Sequence, residues 1–222
     1  MGEAAGQIIA LAIGVTLTPL AVIAVVLMLT TPGGRRNAVV FVLGWMAGLA
    51  LVAAAAVLLA DAADANDGGD PAAWAQVLKA GAGLLLLWVA VEQWRGRPRG
   101  DAEPELPGWM QQIDTFTTAK SVSTALAFAA VKPKNLILTV SAAVTVAQTG
   151  AGAGAPAGAL AVFVVLATLG PGAPLVTALV LGERADGVLA DVRTWLVREN
   201  AVIIAVVCVI LAAKLLGDVL AS

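Results

Sequence analysis

The sequence predicts an all-α membrane protein, with six transmembrane helices arranged as an inverted 3+3 repeat and broken helices near its centre. Three observations lead there. The chain is 60% hydrophobic and only 13% charged over 222 residues, with mean hydropathy +0.93. A soluble domain carries about 25% charged residues, so this chain would expose too much apolar surface to water. Six apolar stretches are long enough to cross a bilayer, which takes about 20 residues. Finally, Pro19 and Pro133 each fall near mid-span, 114 residues apart.

The six stretches are Gly6–Leu29, Ala38–Ala60, Trp74–Trp94, Ser121–Val146, Ala157–Leu181 and Ala201–Leu220. They predict one transmembrane domain over residues 1–222, with halves at about 1–100 and 115–222 and no room for a soluble domain. Span one follows an N-terminus without a basic region and is long enough to cross, which argues against a cleaved signal peptide. Turn residues mark the next joints, Thr31-Pro32-Gly33-Gly34 and Asn66-Asp67-Gly68-Gly69-Asp70-Pro71. In span two, Gly44 and Gly48 form a GxxxG pair suited to close helix packing. Trp74, Trp94, Trp109 and Trp195 fall near span ends or loops and are expected at the membrane interface. Residues from Trp109 to Lys120 are expected to form a short interfacial helix.

Loop charge sets the expected orientation. Three joints carry Arg35 and Arg36, then Arg95, Arg97, Arg99 and Lys120, then Arg184, Arg193 and Arg198. The loops at 61–73 and 149–156 have no Lys or Arg, an asymmetry of nine to zero. The positive-inside rule then puts the basic joints in the cytoplasm and both termini outside an inner (plasma) membrane. Asp61, Asp64, Asp67 and Asp70 crowd an outer loop, but their spacing is not that of an EF-hand, and a solvated loop is favoured.

Span four is interrupted by Lys132-Pro133-Lys134-Asn135. A lysine at bilayer depth costs about 2.5–3.5 kcal/mol on insertion scales and usually faces a bundle interior or cavity. Lys132 is expected roughly 18 Å into its span, beyond easy snorkelling. Proline lacks an N–H and crowds the carbonyl four residues back. Span one carries the matching Thr18 and Pro19, and span five carries Gly170-Pro171-Gly172-Ala173-Pro174, which predicts a further discontinuous helix. There the prolines would free the carbonyls of Ala167 and Gly170, with Thr168 and Thr177 placed to rebond the backbone. Substrate sites of inverted-repeat transporters form at such breaks.

The candidate binding set is therefore Lys132, Pro133, Lys134 and Asn135, shaped by Thr18, Pro19, Gly170, Pro171, Gly172 and Pro174. No carboxylate is expected at matching depth, which suits an anionic group such as phosphate, sulfate or carboxylate. Asn135 is expected to cap the second half-helix, whose N-terminal amides favour an anion. Two other readings stay open: Glu92 neutralises one lysine, or one lysine loses its proton on burial and acts as a relay. With no histidine, no GxxxxGK loop and no base beside Ser121, Ser123 or Ser141, neither an enzyme nor a nucleotide-driven pump is expected, and neither cofactor nor metal. Cys208 stands alone in an apolar run and reads as a packing residue.

Thr16-Leu17-Thr18-Pro19 followed by Val25-Val26-Leu27-Met28-Leu29, Phe41-Val42-Leu43-Gly44-Trp45 and Val131-Lys132-Pro133-Lys134-Asn135-Leu136 together resemble the GAP family. This family, also called sulfolipid-1-addressing or Sap-like, is placed within the LysE exporter superfamily. The superfamily's span-four motif is usually Asn-Pro-Lys, and here Lys132 replaces the asparagine. The resemblance implies outward transport, with delivery of peptidoglycolipids or sulfolipids to the cell surface. The expected partners are membrane lipids and an anionic amphiphile, with a second copy of the chain or a lipid-export machine as further partners and no nucleic acid. The alternatives are export of small amino acids or polar metabolites, and an accessory subunit that binds a partner through the Gly44/Gly48 face or the Arg95–Arg99 loop.

Overall fold

The computed structural model describes residues 2–31, 33–67, 71–97, 113–147 and 154–220. Arg99, Trp109, Asp70 and most of the 149–156 loop lie outside these, as do the side chains of the acidic stretch 61–67. Eight α-helices carry the described chain: α1 (Gly2–Thr16), α2 (Pro19–Leu29), α3 (Gly34–Asp67), α4 (Pro71–Arg95), α5 (Thr118–Ala130), α6 (Pro133–Ala147), α7 (Gly154–Leu181) and α8 (Ala185–Leu220). Single 3-10 turns precede α5 and α8. The described residues contain no strand.

Four helices are long and apolar enough to cross a membrane, and the count reaches six when each bent pair is one span. The pair α1–α2 bends by 50° and α5–α6 by 65°. Both bends fall where the sequence placed breaks, because Pro19 and Pro133 each open the second half-helix. At the first helical position a missing N–H costs nothing. Large apolar side chains such as Leu51, Leu59, Val77, Trp88 and Val180 face outward, as lipid rather than water as the surrounding solvent requires.

Two boundaries differ from expectation. Span two does not stop at Ala60, since α3 runs on to Asp67. The basic segment before span six is not a loop: α8 is continuous over 36 residues from Ala185, about 54 Å and well beyond a hydrocarbon core of about 30 Å. Alanine, leucine and arginine in 185–200 are strong helix formers, and Leu189 and Leu196 give that stretch a buried face. The expected helix from Trp109 is, in its described part, a 3-10 turn at Ile113–Thr115 before α5. There the Thr117 side chain caps α5 by accepting from the Lys120 N–H at 3.2 Å.

The core draws on all eight described helices, including Leu86 of α4 and Phe128 of α5. Trp45, Phe41, Phe163, Leu11 and Leu138 are fully enclosed there, as is Cys208. Helix α3 packs on α5, α6 and α7; α7 packs on α1 and α2; α4 packs on α8. At the α3–α5 contact a Cβ on Gly48 would lie 2.8 Å from Ala129 Cβ, and one on Gly44 would lie 3.2 Å from Ala125 Cβ. The GxxxG face is thus spent inside the chain and is not open to a partner.

Candidate functional site: two helix breaks closed by one lysine

Each broken span leaves carbonyls without their usual i+4 donors, and the side chains that serve these carbonyls form the site. In the first break Pro19 cannot donate to the Val15 carbonyl, so the Thr18 hydroxyl does, at 2.6 Å. The Thr18 N–H turns to the Thr16 carbonyl at 2.8 Å and leaves the Gly14 carbonyl free. The Ala21 N–H bonds to the Thr18 carbonyl and leaves that of Leu17 free. Both orphans are taken by Lys134 from the other half of the chain: its Nζ donates to Gly14 O at 2.7 Å and to Leu17 O at 3.1 Å. Its third bond goes to Thr18 Oγ1 at 3.1 Å.

An ammonium has three donors, and all three are used. Lys134 is only 6% exposed, yet among the described residues no carboxylate pairs with it. The negative end of the α1 dipole, presented by those carbonyls, takes that role. Glu92 is exposed on α4 and makes no ion pair with either lysine among the described residues.

Asn135 departs from its expected role. As the third residue of α6 it does not cap that helix; its Nδ2 reaches back to the Phe128 carbonyl at 3.0 Å, closing the C-terminal end of α5. Its Oδ1 lies 3.1 Å from Thr18 Oγ1, where it competes with the nearer Val15 carbonyl for one hydroxyl proton. Thr18, Pro19, Lys134 and Asn135 are thereby brought together and buried.

Lys132 and Pro133 are on the other side of the break. Lys132 is half-buried, with Nζ 5.2 Å from the Phe128 ring centroid; Pro133 is exposed, as is Val131. The Phe128 ring is itself fixed edge-on to Phe41, at 6.3 Å and 89°. One lysine of the pair is locked into backbone, while the other carries its charge on an aromatic face.

The expected discontinuity in span five is absent: α7 runs unbroken through Pro171 and Pro174, both inside the helix. The Ala167 carbonyl that Pro171 cannot serve accepts from Trp45 Nε1 at 3.4 Å, so the helix survives with a donor borrowed from α3. Thr168 and Thr177 do not rebond freed groups; each donates to its own i−4 carbonyl, Val164 at 2.7 Å and Ala173 at 2.9 Å. Gly170 does reach the first break: a Cβ there would fall 2.1 Å from the Thr16 carbonyl oxygen. The Thr16 hydroxyl reinforces that contact by donating to Leu166 O at 2.5 Å. Gly172 has open space beside it, and Pro171 and Pro174 are buried without a polar link to the breaks.

Sequence reasoning missed Trp45 as a backbone donor and a polar group at the far end of α1. There Gln7 Nε2 donates to Asp218 at 2.6 Å, Lys214 lies 3.7 Å from the same carboxylate, and the Thr145 hydroxyl reaches Gln7 Oε1 at 3.5 Å. The available signal was Gln7, Thr145 and Asp218 interrupting the apolar ends of three spans. No group of acidic, histidine or cysteine side chains among the described residues could hold a metal ion.

The family described as Sap, sulfolipid-1-addressing protein, matches residues 8–221. The chain belongs to that family. The match takes in both breaks and every described helix, α1 from Ile8 on, so the Lys134 clasp and the Lys132 face are features of a Sap-family member. No curated protein and no solved structure matches the chain. Family and fold together make this a membrane protein linked to lipid export.

Proposed function

We propose that the chain is a secondary exporter that moves an anionic glycolipid, of the sulfolipid or peptidoglycolipid type, toward the cell surface. One observation carries the reading: Lys132 holds a cation beside a mid-span break with an aromatic face as its contact, while Lys134 is saturated. A lysine so placed is costly to bury and has donors left for a sulfate, phosphate or carboxylate. Lys132 is therefore the anion-binding group in this reading. The exposed Val131, Pro133 and Leu136 form its surroundings. Lys134, Asn135, Thr18 and Pro19 are the joint on which the halves turn, and Gly170, Pro171, Gly172 and Pro174 are the α7 wall against it.

The organisation proposed is six spans in two inverted halves, with α1–α2, α3 and α4 related to α5–α6, α7 and α8. The packing pairs support it. Exchanging the halves turns α3 on α5 into α7 on α1, α3 on α6 into α7 on α2, and α4 on α6 into α8 on α2, and all six pairs are in contact. The likeness to LysE-type exporters rests on this arrangement and on the Pro133-Lys134 pair. Basic joints at Arg35–Arg36 and Arg184 support cytoplasmic placement there and both termini outside the plasma membrane.

The test is export itself. A strain lacking the chain is complemented with wild type, Lys132→Ala or Lys134→Ala, and surface glycolipids are measured beside the amount of folded protein. Lys132→Ala should lose export at normal abundance. Full export by that variant would end the proposal.

A further inference from the structure

A lateral slot opens between α4 and α8, away from both breaks, with a cavity volume of about 350 Å³. The helices run antiparallel there, since Gly83 meets Leu216 while Leu87–Arg95 faces Ala205–Ile210. Ala90 and Ala205, both buried, make its floor, because methyl side chains leave the helix surfaces apart. Leu87 closes the inner end and half-exposed Val206 forms a wall.

The lining is apolar until the mouth, where Trp94 and Arg95 stand. Arg97 adds a second cation: its guanidinium lies 3.7 Å over the Trp94 ring, and its Nη1 donates to Trp94 O at 2.8 Å. Neither arginine has an ion pair among the described residues. From Leu87 to Arg95 the slot runs about 12 Å along the helix. That length, with an apolar lining that ends in cations, suits one extended hydrocarbon chain beneath an anionic headgroup.

We propose that this slot docks one acyl chain of an anionic membrane lipid, whose headgroup is held by Arg95 and Arg97 beside Trp94. The apolar lining takes the chain, and the cations at one end choose the headgroup. The inference is independent of the exported cargo and of Lys132.

The test uses the full chain in phosphatidylcholine vesicles doped with a photoactivatable-acyl phosphatidylglycerol or, separately, with phosphatidylcholine carrying the same acyl group. Labelled peptides are mapped by mass spectrometry. Phosphatidylglycerol should label residues 87–94 and 205–210 about fivefold more than the neutral probe, the preference one basic residue near the surface provides. Arg95→Gln combined with Arg97→Gln should lower that labelling to the neutral level, and Val206→Trp, which fills the slot, should reduce labelling by both probes. Equal labelling by the two probes in the wild type would overturn the proposal. So would phosphatidylglycerol labelling spread evenly onto Val176 and Val180 of α7, or a slot that neither probe reaches because a second copy covers it.

Discussion

Lys132 and Lys134 are two residues apart and have opposite physical situations. Replacing Lys134 with Met keeps the volume and leaves the Gly14 and Leu17 carbonyls without donors, each at a cost of about 1–3 kcal/mol. Detergent-solubilised Lys134→Met is expected to melt several degrees below wild type. Lys132→Met forfeits only a cation–π contact, about 0.5–2 kcal/mol at a half-buried site, partly offset by the burial cost of the ammonium that is removed, and should melt close to wild type while export fails. Opposite rankings in melting and export would mean the roles assigned to the two lysines are reversed. The sequence made both lysines visible as membrane-depth charges. It could not separate them, because a break scrambles the helical phase that would otherwise say which side chain points inward.

At the scale of elements, prolines broke two spans and spared a third, and the difference lies in where each proline stands in its helix. Pro19 and Pro133 stand at first-turn positions of new helices, so their lost N–H is harmless, whereas Pro171 and Pro174 sit inside α7. Trp45 Nε1 restores a bond to Ala167 O, a contact between residues far apart in sequence. Local spacing therefore gave the positions of the kinks and not their outcome. Trp45→Phe removes that donor at nearly constant shape and should lower stability by about 1–3 kcal/mol, read as a shift in thermal unfolding. Gly170→Val should be worse, since the added atoms meet the Thr16 carbonyl, which belongs to backbone and cannot swing away. Its expected signature is loss of folded protein in a fluorescence-detected size-exclusion profile; a normal profile would mean α7 stands farther from α1 than described.

For the whole molecule, composition alone was sufficient to give helices in lipid, because a chain this poor in charge has few other ways to fold. Span limits at Ala60 and Ala201 were less legible, since helices α3 and α8 continue through polar residues that hydropathy assigns to loops. Topology is testable with cysteines introduced at Arg35 and Arg184 in a Cys208→Ala background: in intact cells a membrane-impermeant maleimide should spare both and react only after lysis. Labelling before lysis would invert the orientation. The clasp adds a mechanical consequence. Because the same ammonium of Lys134 fastens α1 to α6, neither bent rod can straighten alone, and unfastening at one hinge is felt at once by its counterpart. A channel open to both sides together would need two hinges to let go separately, which this shared fastener makes hard to reach.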